Sequence, residues 1–321
     1  MTAPDRPLRI GTRKSELALR QARQVQRALE ARGARSELVT FDTLGDRRLD
    51  VPLAAIGGKG LFTAELEAAL SRGEIDCAVH SLKDLPTGDA EGTTVVAVLE
   101  REDPRDVLVC RPGLVAASIA ALPAGVTVGT SSLRRRAQLA ALRSDVAIAE
   151  LRGNVPTRLR KVDAGAPDAA ILAAAGLVRL GLAGRVTAWL DAPEWLPAPG
   201  QGAIAVQASA RRDATTALLA SLDHAPTRTA VRAERAFLAA LEGGCQVPIG
   251  ALVLPGAHGD VLHGLLASAG GDAAVRGSRA MDAGDPERTG VQLAEELLAR
   301  GGAAILRSLR RVQGVPSPQP E

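Results

Sequence analysis

Aromatic residues are scarce in this chain, which has no tyrosine, three phenylalanines and two tryptophans among 321 residues. Proteins that bind single-stranded nucleic acids usually stack the bases on aromatic side chains, and few are present here. The 36 acidic residues nearly balance the 39 basic ones, so the chain also lacks the strong excess of basic residues that binds double-stranded DNA or RNA. We therefore expect no nucleic-acid partner.

Cysteine is also scarce, with three residues at positions 77, 110 and 245. An odd number of widely separated cysteines does not make a disulfide framework, so a reducing compartment fits. The first ten residues lack the apolar core of a secretory signal. The longest apolar run, AAILAAAGLV (residues 169–178), is too short to span a bilayer. We expect a cytoplasmic protein without a membrane partner.

Lysine is the rare member of the basic set, with four residues against 35 arginines. Arginine binds carboxylates and phosphates through a planar pair of donors. Because arginine and alanine are abundant everywhere in this chain, a single arginine carries little information. A lysine in an unusual setting carries more, which draws attention to Lys59 and Lys83.

Apolar residues follow an alternation of strand and helix patterns along the chain. LRIGT (residues 8–12) has the composition of a strand, and Ser15 stands where a helix N-cap is expected. This alternation continues to residue 99 and restarts over about residues 107–196, which predicts α/β domains with largely parallel sheets. A long helix, short strands and another helix then predict a separate α+β unit.

The segment LGDRRLDVPLAAIGGKGLF (residues 44–62) is long, charged and rich in glycine. Such a composition is typical of a mobile loop. Three glycines free the backbone around Lys59, which modestly favours an anion contact over a plain surface loop.

HSLKDLP (residues 80–86) directly follows a predicted strand, at the position where ligands gather in open α/β sheets. The adjacent Lys83 and Asp84 could both reach a pocket if the chain turns here. The carboxylate could then act as a general acid or base, or stabilise a cation. A surface ion pair beside a proline turn is an equally good interpretation.

Two further segments, GTSSLRRRAQ (residues 129–138) and LRGNVPTRL (residues 151–159), combine hydroxyls with arginines at predicted strand ends. Backbone N–H groups and hydroxyls before a helix form an anion site. The candidate residues are Thr130, Ser131, Ser132, Arg134, Arg135, Arg152 and Arg158. Arg13, after the first strand, has the same setting, whereas Arg136, Arg143 and Arg160 fit solvated helix faces. Such a cluster suits a ligand with several carboxylates or phosphates.

GGCQVPIG (residues 243–250) places Cys245 among turn-forming residues rather than in an apolar run. The thiol could be a nucleophile, a metal ligand, an attachment point or a residue without a role. HGDVLH (residues 258–263) has no further ligand cluster, so a metal site is not expected. Cys77 and Cys110 fit packing positions.

Taken together, these segments resemble the porphobilinogen deaminase family, also called the hydroxymethylbilane synthases. The similarity extends over nearly the whole chain, and several long motifs in fixed order make it specific. The motifs are RIGTRKSELAL (9–19), GGKGLF (57–62), HSLKDLP, VGTSSLRRRAQ (128–138), LRGNVPTRL, AAAGLVRLG (173–181), PGQGAI (199–204) and GGCQVPIG.

The resemblance implies a three-domain fold. Two similar α/β domains resembling type II periplasmic binding proteins would comprise residues 1–102 with 200–222, and residues 106–197, with the active site in their cleft. A smaller α+β domain, residues 225–314, would carry the cofactor cysteine, and residues 315–321 would be a disordered tail. The loop 44–62 resembles the family's active-site lid.

The resemblance also implies the chemistry. Cys245 would hold a dipyrromethane cofactor by a thioether bond, on which four porphobilinogen molecules are condensed with loss of ammonia before hydrolysis releases hydroxymethylbilane. Asp84 would stabilise the electron-poor azafulvene and handle pyrrole N–H protons. Cofactor contacts would come from Lys83, Thr130, Ser131, Ser132, Arg134, Arg135 and Arg158. Substrate contacts would come from Arg13, Ser15, Lys59, Phe62, Arg152, Arg179 and Gln201.

Two positions depart from the family pattern. Some relatives have a lysine where this chain has Ala55, and Arg136 has no role that the resemblance assigns. The rival hypothesis is a two-lobed binding protein for an anionic small molecule. Such a protein needs neither an anchoring cysteine nor a carboxylate among arginines, so Cys245 and Asp84 favour the enzyme. The family suggests a monomer.

Overall fold

The computed structural model describes residues 6–43, 45, 63–241 and 247–313, with the backbone alone for 310–313. The chain divides into two compact units. The first comprises Met1–Pro104, Ala173–Gly184 and Gly200–Arg228, and the second comprises Arg105–Leu172, Arg185–Pro199 and Thr229–Glu321. The three-domain division from the sequence stays a prediction.

The strands and helices of the described residues are numbered in chain order. The strands are β1 (Leu8–Arg13), β2 (Ser36–Phe41), β3 (Cys77–Ser81), β4 (Thr93–Val98), β5 (Asp106–Cys110), β6 (Thr127–Gly129), β7 (Ala147–Ala149), β8 (Ala169–Ala173), β9 (Ala188–Leu190), β10 (Ile204–Ser209), β11 (Ile249–Leu254), β12 (Val261–Ala267) and β13 (Ala274–Ala280). The α-helices are α1 (Glu16–Glu30), α2 (Ala64–Ser71), α3 (Leu133–Leu142), α4 (Val155–Asp163), α5 (Ala174–Arg179), α6 (Ala214–Ala220), α7 (Ala225–Ala240), α8 (Pro286–Leu297) and α9 (Ala303–Gln313).

The first unit is built on a five-stranded sheet in the order β2-β1-β3-β10-β4. Strand β1 is parallel to β2 and β3, while β10 is antiparallel to β3 and β4. Because β10 runs against its neighbours, its first residue, Ile204, pairs with Ser81 at the end of β3. The ends of β1 and β3 and the beginning of β10 therefore meet at one edge of the sheet, which is where the candidate residues of this unit are found.

Helix α1 covers this sheet through an apolar stripe of the kind that the sequence indicates. Its buried residues include Ala18, Ala22, Val25 and Leu29, which pack with strand residues in one core. The Ser15 side chain accepts a hydrogen bond from the Ala18 backbone N–H at 3.3 Å, which confirms the predicted N-cap. The cap fixes where the chain leaves β1 and enters the helix.

The second unit contains a five-stranded sheet, in the order β7-β6-β8-β5-β9, and a three-stranded antiparallel sheet, β11-β12-β13. Strand β6 is parallel to β7 and β8, so the carboxyl ends of these three strands share an edge. The smaller sheet packs on α7, α8 and α9 in a core that includes Phe237 and Leu293. The predicted α/β fold with a smaller C-terminal α+β part is confirmed.

Two helical segments differ from the sequence expectation. The apolar run DAAILAAA (residues 168–175) predicts a single strand, but β8 ends at Ala173 and α5 begins at the next residue. Alanine favours a helix on both sides of this boundary, so its propensity does not mark where the strand ends, and the packing partners decide. The sequence pattern also predicts a single last helix from Pro286 to about Arg300, whereas the structure has α8 and α9 with a π-type turn between them, in which Gly301 has φ 110°. No helix in the described ranges is both long and apolar enough to cross a membrane.

Candidate active site

The sheet edge of the first unit contains a small cavity of about 20 Å³. Arg13, the last residue of β1, and Asp84, the last residue of a short 3₁₀ turn after β3, both line it. These two side chains are 71 positions apart in sequence and meet because β1 and β3 are parallel neighbours. Asp84 can reach a pocket only if the chain turns within HSLKDLP, and the 3₁₀ turn supplies that change of direction.

Gln201 holds Lys83 at the same edge. The Lys83 ammonium donates to Gln201 Oε1 at 3.2 Å, and Gln201 Nε2 donates to the Pro104 carbonyl at 2.8 Å. Gln201 is 1% exposed, so its amide is a fixed part of the protein rather than a surface group. The sequence predicted both residues for this site but gave no reason for them to be in contact.

Arg179 reaches this region from α5. Its Nη2 donates to the Gly202 carbonyl at 2.7 Å, next to Gln201 in sequence. Burial lowers the pKa of the guanidinium, which the charge of Glu102 partly offsets. Within the described ranges, the buried Nε–H of Arg179 has no hydrogen-bond acceptor. This donor is therefore suited to an acidic group of a ligand.

The second unit has its own group of donors at the ends of β6 and β7. Ser131 Oγ donates to the Leu151 carbonyl at 2.6 Å, and Thr130 Oγ1 accepts from the Ser132 N–H at 3.2 Å. Gly129 lets Leu151 pack against the end of β6, because a Cβ at this position would lie 2.9 Å from the Leu151 side chain.

Arg152 and Arg158 flank the same strand ends. Both are partly buried, and Arg158 Nε donates to the Gly153 carbonyl at 2.7 Å. The Ser132 side chain makes no capping bond to α3, whose first N–H groups thus lack a side-chain cap. The structure brings the predicted hydroxyls and these two arginines to one edge.

Arg134 and Arg135 are turned into the protein, where both contact the buried Asp106. Arg134 Nη1 and Arg135 Nη2 each lie 2.7 Å from a different carboxylate oxygen of Asp106. Burial alone would raise the pKa of the Asp106 carboxyl, but the two guanidiniums outweigh it and hold that pKa well below its ordinary range. The sequence pattern gives no signal for Asp106, which looks like an ordinary strand residue after a charged turn.

Three polar residues near the first cavity were also missed. Gln21 and His80 line it, and Gln207 hydrogen-bonds His80 from β10. His80 belongs to the HSLKDLP motif, so its place beside Asp84 was the available signal. Gln21 and Gln207 come from regular elements, where a single polar residue in an apolar pattern gives no indication of a site.

The cysteines separate into two kinds. Cys77 is fully buried, and burial raises the pKa of its thiol to about 12. Burial also raises the pKa of Cys110, which is 7% exposed. Both thiols are protonated at neutral pH, as expected for packing residues. Cys245 lies outside the described residues, and so do Lys59 and Phe62.

Two family models match this chain over most of its length. The model described as porphobilinogen deaminase, dipyromethane cofactor binding domain, matches residues 8–217. The model described as porphobilinogen deaminase, C-terminal domain, matches residues 228–299.

Curated relatives agree with the family models. The porphobilinogen deaminase of Pelobacter propionicus is 49% identical over 314 residues, covering 95% of this chain and 98% of that protein. That of Syntrophobacter fumaroxidans is 50% identical over 311 residues, covering 96% and 99%. Among solved structures, the methionine binding protein MetQ matches with a TM-score of 0.43 at 14% identity, over 73% of this chain and 94% of that one. This structural similarity is too low to assign a ligand.

Proposed function

The chain belongs to the porphobilinogen deaminase family, and we propose how its residues divide the work of the family's reaction. It is a transferase, a hydroxymethylbilane synthase, that condenses porphobilinogen with loss of ammonia and uses a dipyrromethane cofactor. Hydrolysis releases the linear tetrapyrrole. The binding-protein alternative is not favoured, because the relatives are named as enzymes.

The position of Asp84 supports a catalytic role for its carboxylate. It lines a cavity with Arg13, and no described residue donates a hydrogen bond to it. When porphobilinogen loses ammonia, its pyrrole becomes electron-poor and gains positive charge. A carboxylate that is not already hydrogen-bonded to the protein can stabilise that charge and accept a pyrrole N–H proton. Arg13 would bind an acidic side chain of the substrate beside it.

The donors of the second unit fit the cofactor, whose two pyrroles carry acetate and propionate groups. Arg135 Nε is a buried donor without an acceptor among the described residues. Arg134 uses Nη1 on Asp106 and on the Leu196 carbonyl, which leaves Nε and Nη2 for a ligand carboxylate. When bound, the dipyrromethane supplies the pyrrole carbon to which the first porphobilinogen is joined. The residues proposed to hold it are Cys245 covalently, and Lys83, Thr130, Ser131, Ser132, Arg134, Arg135 and Arg158.

Substrate carboxylates would be bound by a second set of side chains. Ser15 can still donate its hydroxyl hydrogen, because in the N-cap it acts only as an acceptor. Arg179 offers its unpartnered Nε–H, and Gln201 keeps Lys83 in place. The residues proposed for substrate binding are Arg13, Ser15, Lys59, Phe62, Arg152, Arg179 and Gln201.

Asp84→Asn tests the catalytic proposal. The amide keeps the shape but cannot stabilise a positive charge as a carboxylate does, so we expect kcat to fall at least about 100-fold. The measurement is porphobilinogen consumption, with thermal melting to check folding. Asp89→Asn is the matched control, since Asp89 is exposed and bonds only Thr94 among the described residues. Near-normal turnover of Asp84→Asn would remove the role assigned to this carboxylate.

Cys245→Ser tests the anchor. A serine hydroxyl does not form the thioether, so the intact mass of the variant should equal its sequence mass. The wild-type protein should be heavier by one dipyrromethane. A wild-type protein that stays unmodified after incubation with porphobilinogen would contradict the assignment of Cys245.

We also propose a cytoplasmic monomer. The proposal rests on the sequence expectation of a reducing compartment and on the family resemblance. Size-exclusion chromatography with light scattering measures the assembly state, and a stable dimer would contradict it.

A further inference from the structure

His80 is a buried, polar residue of β3 that the proposed reaction does not use. His80 is only 5% exposed, and it is one of the residues that line the same cavity as Arg13 and Asp84. A histidine in the body of a strand is often a packing residue, held by one hydrogen bond. Here its position beside the proposed catalytic carboxylate makes its protonation state and its tautomer relevant.

A chain of hydrogen bonds determines which imidazole nitrogen carries the proton. Thr93 Oγ1 donates to the Ala90 carbonyl at 2.9 Å, so its oxygen accepts the bond from Gln207 Nε2, also at 2.9 Å. Gln207 Nε2 further lies 3.4 Å from a Glu67 carboxylate oxygen, which can only accept. The other end of the Gln207 amide is therefore the carbonyl oxygen.

That oxygen lies 3.1 Å from His80 Nε2. A carbonyl oxygen has no hydrogen to donate, so Nε2 must carry the proton of this bond. In a neutral imidazole the proton on Nε2 leaves Nδ1 as an acceptor with a lone pair. The hydrogen bonds of Gln207 thus select the Nε2–H tautomer of His80.

The surroundings also keep the imidazole neutral. Burial and, to a smaller extent, the positive charge of Arg13 outweigh the bond to Gln207 and together lower the pKa of His80 to about 4. The carboxylates nearby, Asp84 on the turn after β3 and Glu67 on α2, do not reverse this balance. At neutral pH His80 therefore offers an acceptor and not a second positive charge beside Arg13.

We propose that His80 is a further positioning residue of this site, whose Nδ1 accepts a hydrogen bond from an N–H or O–H group held next to Asp84. The proposal deepens the function proposed above and rests on it. The cavity, at about 20 Å³, is large enough for one water molecule, which needs about 10–15 Å³. Its donor is thus an ordered water or the pyrrole N–H of the substrate, and either would be oriented toward the Asp84 carboxylate.

Two substitutions of His80 distinguish the role of Nδ1 from the role of Nε2. The amide of His80→Gln reaches the position of Nε2 and can still donate to Gln207, but nothing replaces Nδ1. The amide oxygen of His80→Asn occupies the position of Nδ1 and loses the bond to Gln207. We expect kcat/KM to fall about tenfold or more for His80→Gln and about threefold or less for His80→Asn. Equal losses in the two variants would overturn the proposal, since a packing role makes no such distinction.

Thr93→Val is the control for a purely structural effect. It removes one partner of Gln207, while Glu67 still accepts from Gln207 Nε2 and keeps the amide oxygen toward His80, so the melting temperature should fall while kcat/KM stays within about twofold. A loss of activity as large as that of His80→Gln would show that the network only maintains the fold.

Porphobilinogen affinity, measured by calorimetry in the Asp84→Asn background, identifies the group that donates to His80 Nδ1. His80→Gln weakens binding if the donor is the pyrrole and leaves it unchanged if the donor is water.

A direct measurement does not depend on turnover. ¹⁵N spectroscopy of the wild-type imidazoles, with His80→Asn used for assignment, should show His80 as the Nε2–H tautomer from pH 5 to 9. A Nδ1–H tautomer, or titration near the ordinary value of about 6.5, would overturn the proposal. If wild-type protein shows the expected tautomer but consumes no porphobilinogen, the proposed function fails and the role assigned to His80 fails with it, whereas normal turnover with the wrong tautomer removes only the role of His80.

Discussion

At the scale of single residues, the pairing of Asp106 with two arginines is the largest concentration of buried charge in the described second unit. Asp106 is 0% exposed, and Arg134 and Arg135 are 5% and 6% exposed. Trp195 Nε1 also donates to the carboxylate at 2.9 Å. Because the guanidiniums bond to the protein on one side, they are held rigidly, and rigid donors lose less entropy when they bind a ligand.

Asp106→Asn should therefore be strongly destabilising. The amide removes the negative charge and leaves two buried guanidiniums without compensation, which costs about 3–5 kcal/mol of unfolding free energy. Urea denaturation measures the loss. Asp191→Asn is the control, because the pair of Asp191 with Arg105 is exposed and should be worth about 1 kcal/mol or less. If the two variants lose similar stability, Asp106 does not have the structural role described.

At the scale of elements, the turn that leads into β10 determines where Gln201 lies. Gly202 has φ 89°, a conformation that favours glycine, and a Cβ there would lie 2.3 Å from the Glu102 carbonyl oxygen. Arg101 Nε donates to the Gln201 carbonyl at 2.7 Å from the other side. The chain can thus reverse and enter the sheet antiparallel while the Gln201 amide stays beside Lys83.

Gly202→Ala should disturb this turn. The positive φ and the clash with Glu102 together cost about 1–3 kcal/mol of unfolding free energy. We also expect KM for porphobilinogen to rise, because Gln201 would move away from Lys83. Gly184→Ala is the matched control, since its Cβ would meet nothing within 4 Å and its φ is ordinary. An unchanged KM with reduced stability would limit the turn to a structural role.

At the scale of the whole molecule, the nearly balanced net charge includes buried groups whose pKa values are shifted. Burial lowers the pKa of His80 to about 4, and the arginines hold the pKa of Asp106 below its ordinary range. Both pKa shifts make the unfolding free energy decrease as the pH falls, because the unfolded chain binds protons that the folded protein does not. The folded state is therefore weakened by acid.

Unfolding free energy should rise from about pH 4 to 6.5, where unfolded His80 is protonated and the folded residue is neutral. Below about pH 3.9, the ordinary value for aspartate, stability should fall further as unfolded carboxylates take up protons. Urea titrations at several pH values measure this dependence. His80→Asn should flatten the curve between pH 4 and 6.5 only, and a curve identical to wild type would contradict the assigned neutrality.

The sequence alone was sufficient for the α/β fold, the N-cap at Ser15 and the family, since these depend on local patterns and on motifs several residues long. The pattern of residues 261–267 predicts a strand with the bounds that β12 has, because such a pattern is a local property. The same local character explains the errors: the boundary between β8 and α5 lies inside an alanine-rich run, where the residue type does not change as the strand gives way to the helix.

Only the tertiary structure decided which side chains act together. Arg13 and Asp84 share a cavity because two parallel strands end at the same edge, and Lys83 contacts Gln201 because β10 enters in the opposite direction. Asp106 orders two arginines, and Gln207 selects the tautomer of His80. These relations join residues far apart in the chain. Hydrogen bonds and charge compensation depend on distances of a few ångströms, which sequence spacing does not determine.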